Sequence, residues 1–333
     1  MRAGDDLPEK RSEVINRATK VITKMTAAAA GLAGLLTTEA LLIYHYGFEK
    51  ADDALMEFWS KHNNTPEYAK DQIREGCRWL REMDVREVEV ISFDGLTLRG
   101  HYLINPDAKR QLIAFHGYRS NAYYDFGALV RFYYEAGCSV LLVEQRGHRF
   151  SDGEHVSMGV LERKDVTTWV NYVNEVYGTE TQIYLTGISM GAATILMAQD
   201  QNLPDNVRGM IADCGFSNTY EEVRYFGSHH GIILSKRKMP FIDKLCQKRA
   251  GFSLKEANPI EALAKAKIPV LFFHGTEDQL VPLQNGIDNY AACTAPKKLV
   301  LIEGAEHAHS CFVGRERYER EVRDFFAQYD KKD

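Results

Sequence analysis

The sequence has 333 residues, of which 45% are hydrophobic and 26% charged, so it can form one large globular domain with additions or two small ones. A net charge of -5, with basic residues only in short runs, argues against nucleic acid as a partner. The six cysteines are scattered without a C-x-x-C pair. They predict neither a disulfide framework nor a zinc site, and a reducing, cytoplasmic environment fits them best.

The first 85 residues are predicted to form a helical extension. Residues 1–24 are polar and do not resemble a secretory signal, so secretion is not predicted. Residues 25–44 are largely apolar, but a spanning helix needs about 20 apolar residues. The charge of Glu39 would cost roughly 2.5 kcal/mol near the centre of such a helix. Two interpretations stay open for residues 25–44: contact with a membrane, and packing on the protein's own domain or on a partner.

A β-hairpin is predicted next, because the alternating runs 88–93 and 96–102 flank Asp94-Gly95. Beyond it, short apolar strands alternate with helices of 3.6-residue periodicity. The strands are expected at 112–115, 140–143, 184–188, 210–213, 270–273 and 299–302. One helix should end at Gly178, and the last should span about 315–329. This alternation predicts an α/β fold whose mostly parallel sheet is covered by helices on both faces.

The strand and helix alternation stops between about residues 216 and 263. This segment contains no convincing strand, and it is predicted to be a helical cap inserted between two strands of a domain spanning 86–333. It contains the adjacent histidines His229 and His230. No Cys, Asp or Glu at ligand spacing accompanies them, so no metal site is predicted.

The stretch Gly187-Ile188-Ser189-Met190-Gly191 lies between a predicted strand and a predicted helix. A sharp turn that exposes one side chain crowds the backbone on both sides, and glycine has no Cβ to clash. The pattern is that of a nucleophile elbow. Because three such positions match by chance in about one chain in ten of this length, the interpretation depends on the rest of the sequence.

A serine becomes nucleophilic when a base accepts its proton and a third group orients that base. Ser189, Asp278 and His307 each follow a predicted strand, and ligands of such sheets bind beyond the carboxyl ends of the strands. Two other residues remain candidates for these roles. Asp213 also ends a strand, and His309 lies two residues from His307.

Several short motifs together resemble the α/β-hydrolase superfamily, in particular its bacterial serine-aminopeptidase-like or prolyl-oligopeptidase-like branch. They are His116-Gly117-Tyr118, Arg146-Gly147-His148, Gly187 to Gly191, Asp213-Cys214-Gly215, His274-Gly275-x-x-Asp278 and Gly304-Ala305-Glu306-His307-Ala308. The order Ser, Asp, His is also that of this superfamily. The resemblance covers roughly residues 86–330 and implies an α/β-hydrolase fold with a mostly parallel sheet of the eight-stranded type and a cap. No cofactor and no metal are predicted.

The resemblance also implies roles for individual residues. Ser189 would be the nucleophile, His307 the base and Asp278 the residue that orients it. The backbone N–H groups of Tyr118 and Met190 would form the oxyanion hole, and His116 would support the oxyanion loop. Arg146 and His148 would be turn and ion-pair residues.

The predicted activity is hydrolysis of small-molecule carboxylic esters through an acyl-enzyme. One alternative is a peptidase or amidase acting on small peptides or aminoacyl amides, and another is a protein of the same fold that binds a ligand without turnover. The sequence predicts neither the acyl and leaving groups nor the oligomeric state.

Overall fold

A mixed β-sheet forms the centre of the computed structural model, which describes residues 32–51, 65–229 and 238–331. Its eight strands are β1 Val85–Ile91, β2 Thr97–Leu103, β3 Arg110–Phe115, β4 Cys138–Glu144, β5 Ile183–Ile188, β6 Val207–Asp213, β7 Val270–Gly275 and β8 Lys297–Ile302. They are ordered β1-β2-β4-β3-β5-β6-β7-β8. The β1–β2 and β2–β4 pairs are antiparallel and all other pairs are parallel, which confirms the predicted mostly parallel sheet.

Helices cover both faces of the sheet. They are α1 Leu32–Phe48, α2 Glu67–Arg81, α3 Ala122–Glu135, α4 Glu162–Tyr177, α5 Met190–Met197, α6 Thr219–His229, α7 Met239–Ala250, α8 Pro259–Leu263, α9 Leu283–Ala292, α10 Ser310–Val313 and α11 Arg315–Tyr329. Successive residues of β3 point to opposite faces. Leu112 packs in the core under α3 and α11, whereas Ile113 packs in the core under α4 and α5. Strands covered on both faces read as continuous apolar runs, which is why these strands were visible in the sequence.

The predicted local elements agree with the structure at several positions. Strands β1 and β2 form the expected hairpin, joined by residues 92–96, in which Gly95 has a φ of 88°. Helix α4 ends at Gly178, whose φ of 82° favours glycine. The last helix has the predicted bounds.

Helix α1 packs on the protein's own domain over the part that the structure describes. Ala40, Tyr44 and Phe48, spaced four residues apart, are buried in one core cluster with Met239 and Ile242 of α7. Residues 25–31 of the predicted apolar segment lie outside the described residues. Among the described helices, none is long and apolar enough to span a membrane.

The described residues between β6 and β7 form the helices α6, α7 and α8 and contain no strand. Residues 230–237 lie outside the described part of the chain, and so does the side chain of His229. The pair His229 and His230, for which no metal site is predicted, therefore falls outside the description. The division into an extension over 1–85 and a domain over 86–333 with a cap at about 216–263 stays a prediction.

Candidate active site

Ser189 occupies the sharp turn between β5 and α5. Its backbone has φ 55° and ψ −118°, a conformation that non-glycine residues rarely adopt. A Cβ on Gly191 would lie 1.9 Å from the carbonyl oxygen of Phe115, and one on Gly187 would lie 2.3 Å from the carbonyl oxygen of Gly191. The two glycines are therefore required by close backbone approach on both sides of Ser189.

The structure brings the side chains of Ser189, Asp278 and His307 together. His307 Nε2 lies 2.9 Å from Ser189 Oγ, and His307 Nδ1 lies 2.8 Å from Asp278 Oδ2. Each residue follows the carboxyl end of a strand, namely β5, β7 and β8. Because these strands are parallel, their carboxyl ends lie at one edge of the sheet.

The hydrogen bonds around His307 assign its tautomer. Nδ1–H donates to the buried Asp278 carboxylate, which leaves Nε2 to accept from the Ser189 hydroxyl. The other Asp278 oxygen accepts from the N–H groups of Leu280 and Val281, at 3.0 and 2.8 Å. Burial alone would lower the pKa of His307, but the charge of the Asp278 carboxylate and its hydrogen bond to Nδ1–H act in the opposite direction, and the pKa is raised above its usual value.

Asp213 and His309, the other two candidates for the acid and the base, have different partners. The Asp213 carboxyl accepts a hydrogen bond of 2.7 Å from the Ser310 hydroxyl, and burial raises its pKa to about 7. His309 is buried, and its ring lies 6.0 Å from that of Phe312. The described contacts of His307 Nδ1 are thus with Asp278 and not with Asp213.

The loop after β3 lies against Ser189 and is held on both sides of Tyr118. Gly117 N–H donates to Asp125 Oδ2 at 2.6 Å, and Arg119 N–H donates to His148 Nε2 at 3.1 Å. Within the described part of the chain, no hydrogen bond engages the backbone N–H of Tyr118 or of Met190. These are the two donors predicted for an oxyanion hole.

Two buried histidines support this loop. His116 Nδ1–H donates to Gly117 O at 2.8 Å, while its Nε2 accepts from Gln145 N–H at 3.1 Å. His148 donates through Nδ1–H to Arg146 O at 2.9 Å. Burial lowers the pKa of His116 to about 4 and that of His148 well below its usual value, so both rings are neutral and can accept hydrogen bonds.

The predicted ion-pair role fits Arg146 but not His148. The guanidinium of Arg146 pairs with Asp165 at 2.6 Å and with Asp94 at 2.8 Å. His148 instead contacts the backbone of the loop. Its role in holding Arg119, and that of Asp125 in holding Gly117, were not predicted from the sequence.

Cys214 lies beside Asp278 and His307. Its Sγ, one Asp278 oxygen and one His307 nitrogen lie within 4.8 Å of one another, an arrangement that could hold a metal ion. Both His307 nitrogens and both Asp278 oxygens already make hydrogen bonds. Burial raises the pKa of the Cys214 thiol to about 11, so the sulfur is protonated at neutral pH. We therefore assign no metal to this group.

Helix α6 contacts both the loop that carries Asp278 and the loop that carries Tyr118. The Tyr225 hydroxyl donates to Gln279 O at 2.9 Å, and the ring centroid of Phe226 lies 5.6 Å from that of Tyr118. Glu222 is three and four residues before these side chains, on the same helix face. Its side chain is only 5% exposed and has no hydrogen bond or ion pair to another described residue.

The Glu222 carboxyl interacts electrostatically with the neighbouring residues His307 and Asp278. Burial raises its pKa to about 8, and the charge of His307 lowers this value while that of Asp278 raises it. No sequence pattern singled out this residue, because a glutamate in the first turn of a helix is common.

Comparison with known proteins agrees with this architecture. The model of the prolyl oligopeptidase family matches residues 131–332, more than half of the chain. The uncharacterised Bacillus subtilis protein YqkD is 27% identical over 74% of this chain and 80% of its own length. The structure of Pyrococcus furiosus esterase Pf2001 aligns with a TM-score of 0.62 at 19% identity, covering 81% of this chain and 96% of the esterase.

A second solved structure is similar over part of its length. Pyrococcus horikoshii acylaminoacyl peptidase aligns with a TM-score of 0.56 at 17% identity, over 75% of this chain and 42% of the peptidase. At these identities, the two structures show a shared fold only.

Proposed function

Because the chain belongs to the prolyl oligopeptidase family, within the α/β-hydrolase superfamily, we propose that it is a serine hydrolase that cleaves carboxylic esters of small molecules through an acyl-enzyme. Ser189 is the nucleophile, His307 the general base and Asp278 the residue that orients His307. The observation that carries the proposal is the position of His307, within hydrogen-bond distance of Ser189 on one side and Asp278 on the other.

Each contact has a chemical role in this mechanism. His307 Nε2 takes the Ser189 proton as Oγ attacks the ester carbonyl, and the Asp278 carboxylate stabilises the cation that forms. The N–H groups of Tyr118 and Met190 would bind the oxyanion of the tetrahedral intermediate. One such donor typically contributes about 3 kcal/mol to the barrier reduction. His307 then protonates the leaving alcohol, and water releases the acyl group by the reverse steps.

Parallel assays of p-nitrophenyl acyl esters and aminoacyl p-nitroanilides test the proposed substrate class. We expect turnover of the esters with a higher kcat/KM than that of any anilide. Turnover of anilides alone would contradict ester hydrolysis as the function and favour a peptidase. No turnover of either class, by a folded protein, would contradict both.

One observation favours the second candidate, a peptidase or amidase acting on aminoacyl amides. The charged form of a carboxyl as buried as that of Glu222 is unfavourable unless an opposite charge compensates it. A substrate ammonium group would do so. In this case, Glu222→Gln lowers kcat/KM for aminoacyl anilides at least tenfold and leaves simple acyl esters within about threefold. An equal effect on both classes would contradict this second function.

The proposed base makes the reaction depend on pH. His307 accepts a proton only when neutral, and its pKa is raised above its ordinary value of 6.5. We therefore expect kcat/KM, which reports the free enzyme, to rise with pH through an apparent pKa above 6.5. The rate is lost as the pH falls below this apparent pKa, because His307 is then protonated.

A pH–rate profile of Glu222→Gln is the control for this assignment. Burial raises the pKa of Glu222 to about 8, and its negative charge favours the cation of His307, so removal of this charge should shift the profile slightly to lower pH without abolishing the dependence. A profile that is flat between pH 5 and 9, or one that disappears in Glu222→Gln, would contradict His307 as the titrating base.

A further inference from the structure

The carboxyl-terminal end of α1 is bound to the loop that carries the proposed oxyanion donor. The last carbonyl groups of a helix have no partner within it. Here, Gly47 O accepts from the Tyr118 hydroxyl at 2.8 Å, and Tyr46 O accepts from Arg119 Nη2 at 2.6 Å. Phe48 O accepts from Val156 N–H at 2.7 Å. Two terminal carbonyls of α1 thus accept hydrogen bonds from side chains of the loop that carries the proposed oxyanion donor.

Arg119 is the centre of this connection. Its Nη2 also donates to Glu49 O at 3.1 Å, and its Nε donates to the Tyr118 hydroxyl at 2.7 Å. A guanidinium at the carboxyl end of a helix is favoured by the helix dipole. The planar guanidinium donates to these acceptors from separate nitrogens held in a fixed geometry, whereas a lysine would offer a single nitrogen.

Several features indicate that this placement serves the site as well as stability. Arg119 is only 6% exposed, and its Nη1 has no hydrogen-bond partner in the described part of the chain. Burying an incompletely paired cation is costly. The backbone of Arg119 also has a φ of 51°, in the strained left-handed region. Its φ and ψ orient the Tyr118–Arg119 and Arg119–Ser120 peptide groups, which directly follow the peptide group that carries the Tyr118 N–H.

We propose that Arg119 is a positioning residue for the oxyanion hole, which it holds in place by fixing residues 117–119 to the end of α1. Helix α1 is then part of the catalytic apparatus, although it lies outside residues 131–332, the part that matches the family. The inference rests on the proposed function, because the oxyanion hole has a role only in acyl transfer.

The test compares kcat, KM and inhibitor affinity in the full-length chain. In Arg119→Met, we expect kcat for a p-nitrophenyl ester to fall roughly tenfold to hundredfold, less than the loss of a whole donor, with KM changed less than threefold. The affinity for a trifluoromethyl ketone, which forms a tetrahedral adduct with serine, should fall in parallel with kcat. Arg119→Lys and Tyr118→Phe should show smaller losses of the same kind.

Arg249→Met is the matched control. Arg249 also contacts α1, with its guanidinium 5.5 Å from the Tyr44 ring centroid and 3.7 Å from the Glu49 carboxylate. It makes no contact with residues 117–119 within the part of the chain that the structure describes. We expect this variant to keep the kcat and the ketone affinity of the wild type, even if both arginine variants lower the melting temperature equally.

Three results would overturn the inference. They are an unchanged kcat in Arg119→Met, a loss in Arg249→Met of equal size, and a fall in kcat without a parallel loss of ketone affinity. If Arg119→Met does not fold, an unchanged kcat in both Arg119→Lys and Tyr118→Phe would overturn it instead. A wild type that hydrolyses esters while these variants match it refutes only this inference, whereas an inactive wild type refutes the proposed function and the inference together.

Discussion

Replacing Ser189 with alanine is expected to lower kcat for p-nitrophenyl esters about a million-fold, which leaves only the residual catalysis from substrate binding and the oxyanion hole. The hydroxyl removed is the one that lies 2.9 Å from His307 Nε2. Without it, the remaining groups can bind the ester but cannot form the acyl-enzyme. Initial rates of purified wild type and variant, corrected for spontaneous hydrolysis, measure the effect.

Ser310→Ala is the control for this loss. It removes another buried hydroxyl near the site, one that donates to Asp213 and not to His307. We expect its kcat to remain within about tenfold of the wild type, because only the surroundings of the triad change. A Ser189→Ala variant that keeps more than a few per cent of the wild-type kcat would contradict the nucleophile assignment.

The second large effect is expected for Asp278→Asn, with a loss of about 10⁴-fold in kcat. The amide keeps the shape of the side chain but removes its charge. It can also donate to His307 Nδ1, which favours the tautomer whose Nε2 carries the proton. That tautomer cannot accept the proton of Ser189, so chemistry is lost while substrate binding is retained. Steady-state kinetics should therefore show a fall in kcat at nearly constant KM.

Asp213→Asn separates the two candidate acids. The Asp213 carboxyl bonds to Ser310, and its pKa of about 7 means that it is partly neutral already. We expect the amide to change kcat less than tenfold. A larger loss in Asp213→Asn than in Asp278→Asn would reverse the assignment of the orienting acid.

Local crowding and strand periodicity were readable in the sequence. Gly187 and Gly191 are required by backbone contacts within the elbow itself, so they appear as a fixed spacing around Ser189. Asp278 and His307 could be placed because parallel strands carry their following residues to one edge of the sheet. The buried strands were visible as apolar runs because helices cover both of their faces.

Contacts between segments that are distant along the chain could not be predicted from the sequence. Arg119 bonds to residues 70 and 73 positions earlier in the chain, and no local pattern predicts such a pairing. The apolar face of α1 has the same spacing whether it meets lipid or α7. Asp125 lies in the first turn of α3, where acidic residues are common, so its bond to Gly117 had no distinctive signal.

Covalent labelling by a fluorophosphonate, followed by peptide mass spectrometry, tests the central claim most directly. The activated oxygen should attack phosphorus, and a single stoichiometric adduct should map to Ser189. Ser189→Ala should remain unlabelled. A folded wild type that is not modified, or one modified mainly at another residue, would contradict the claim that His307 and Asp278 activate this serine.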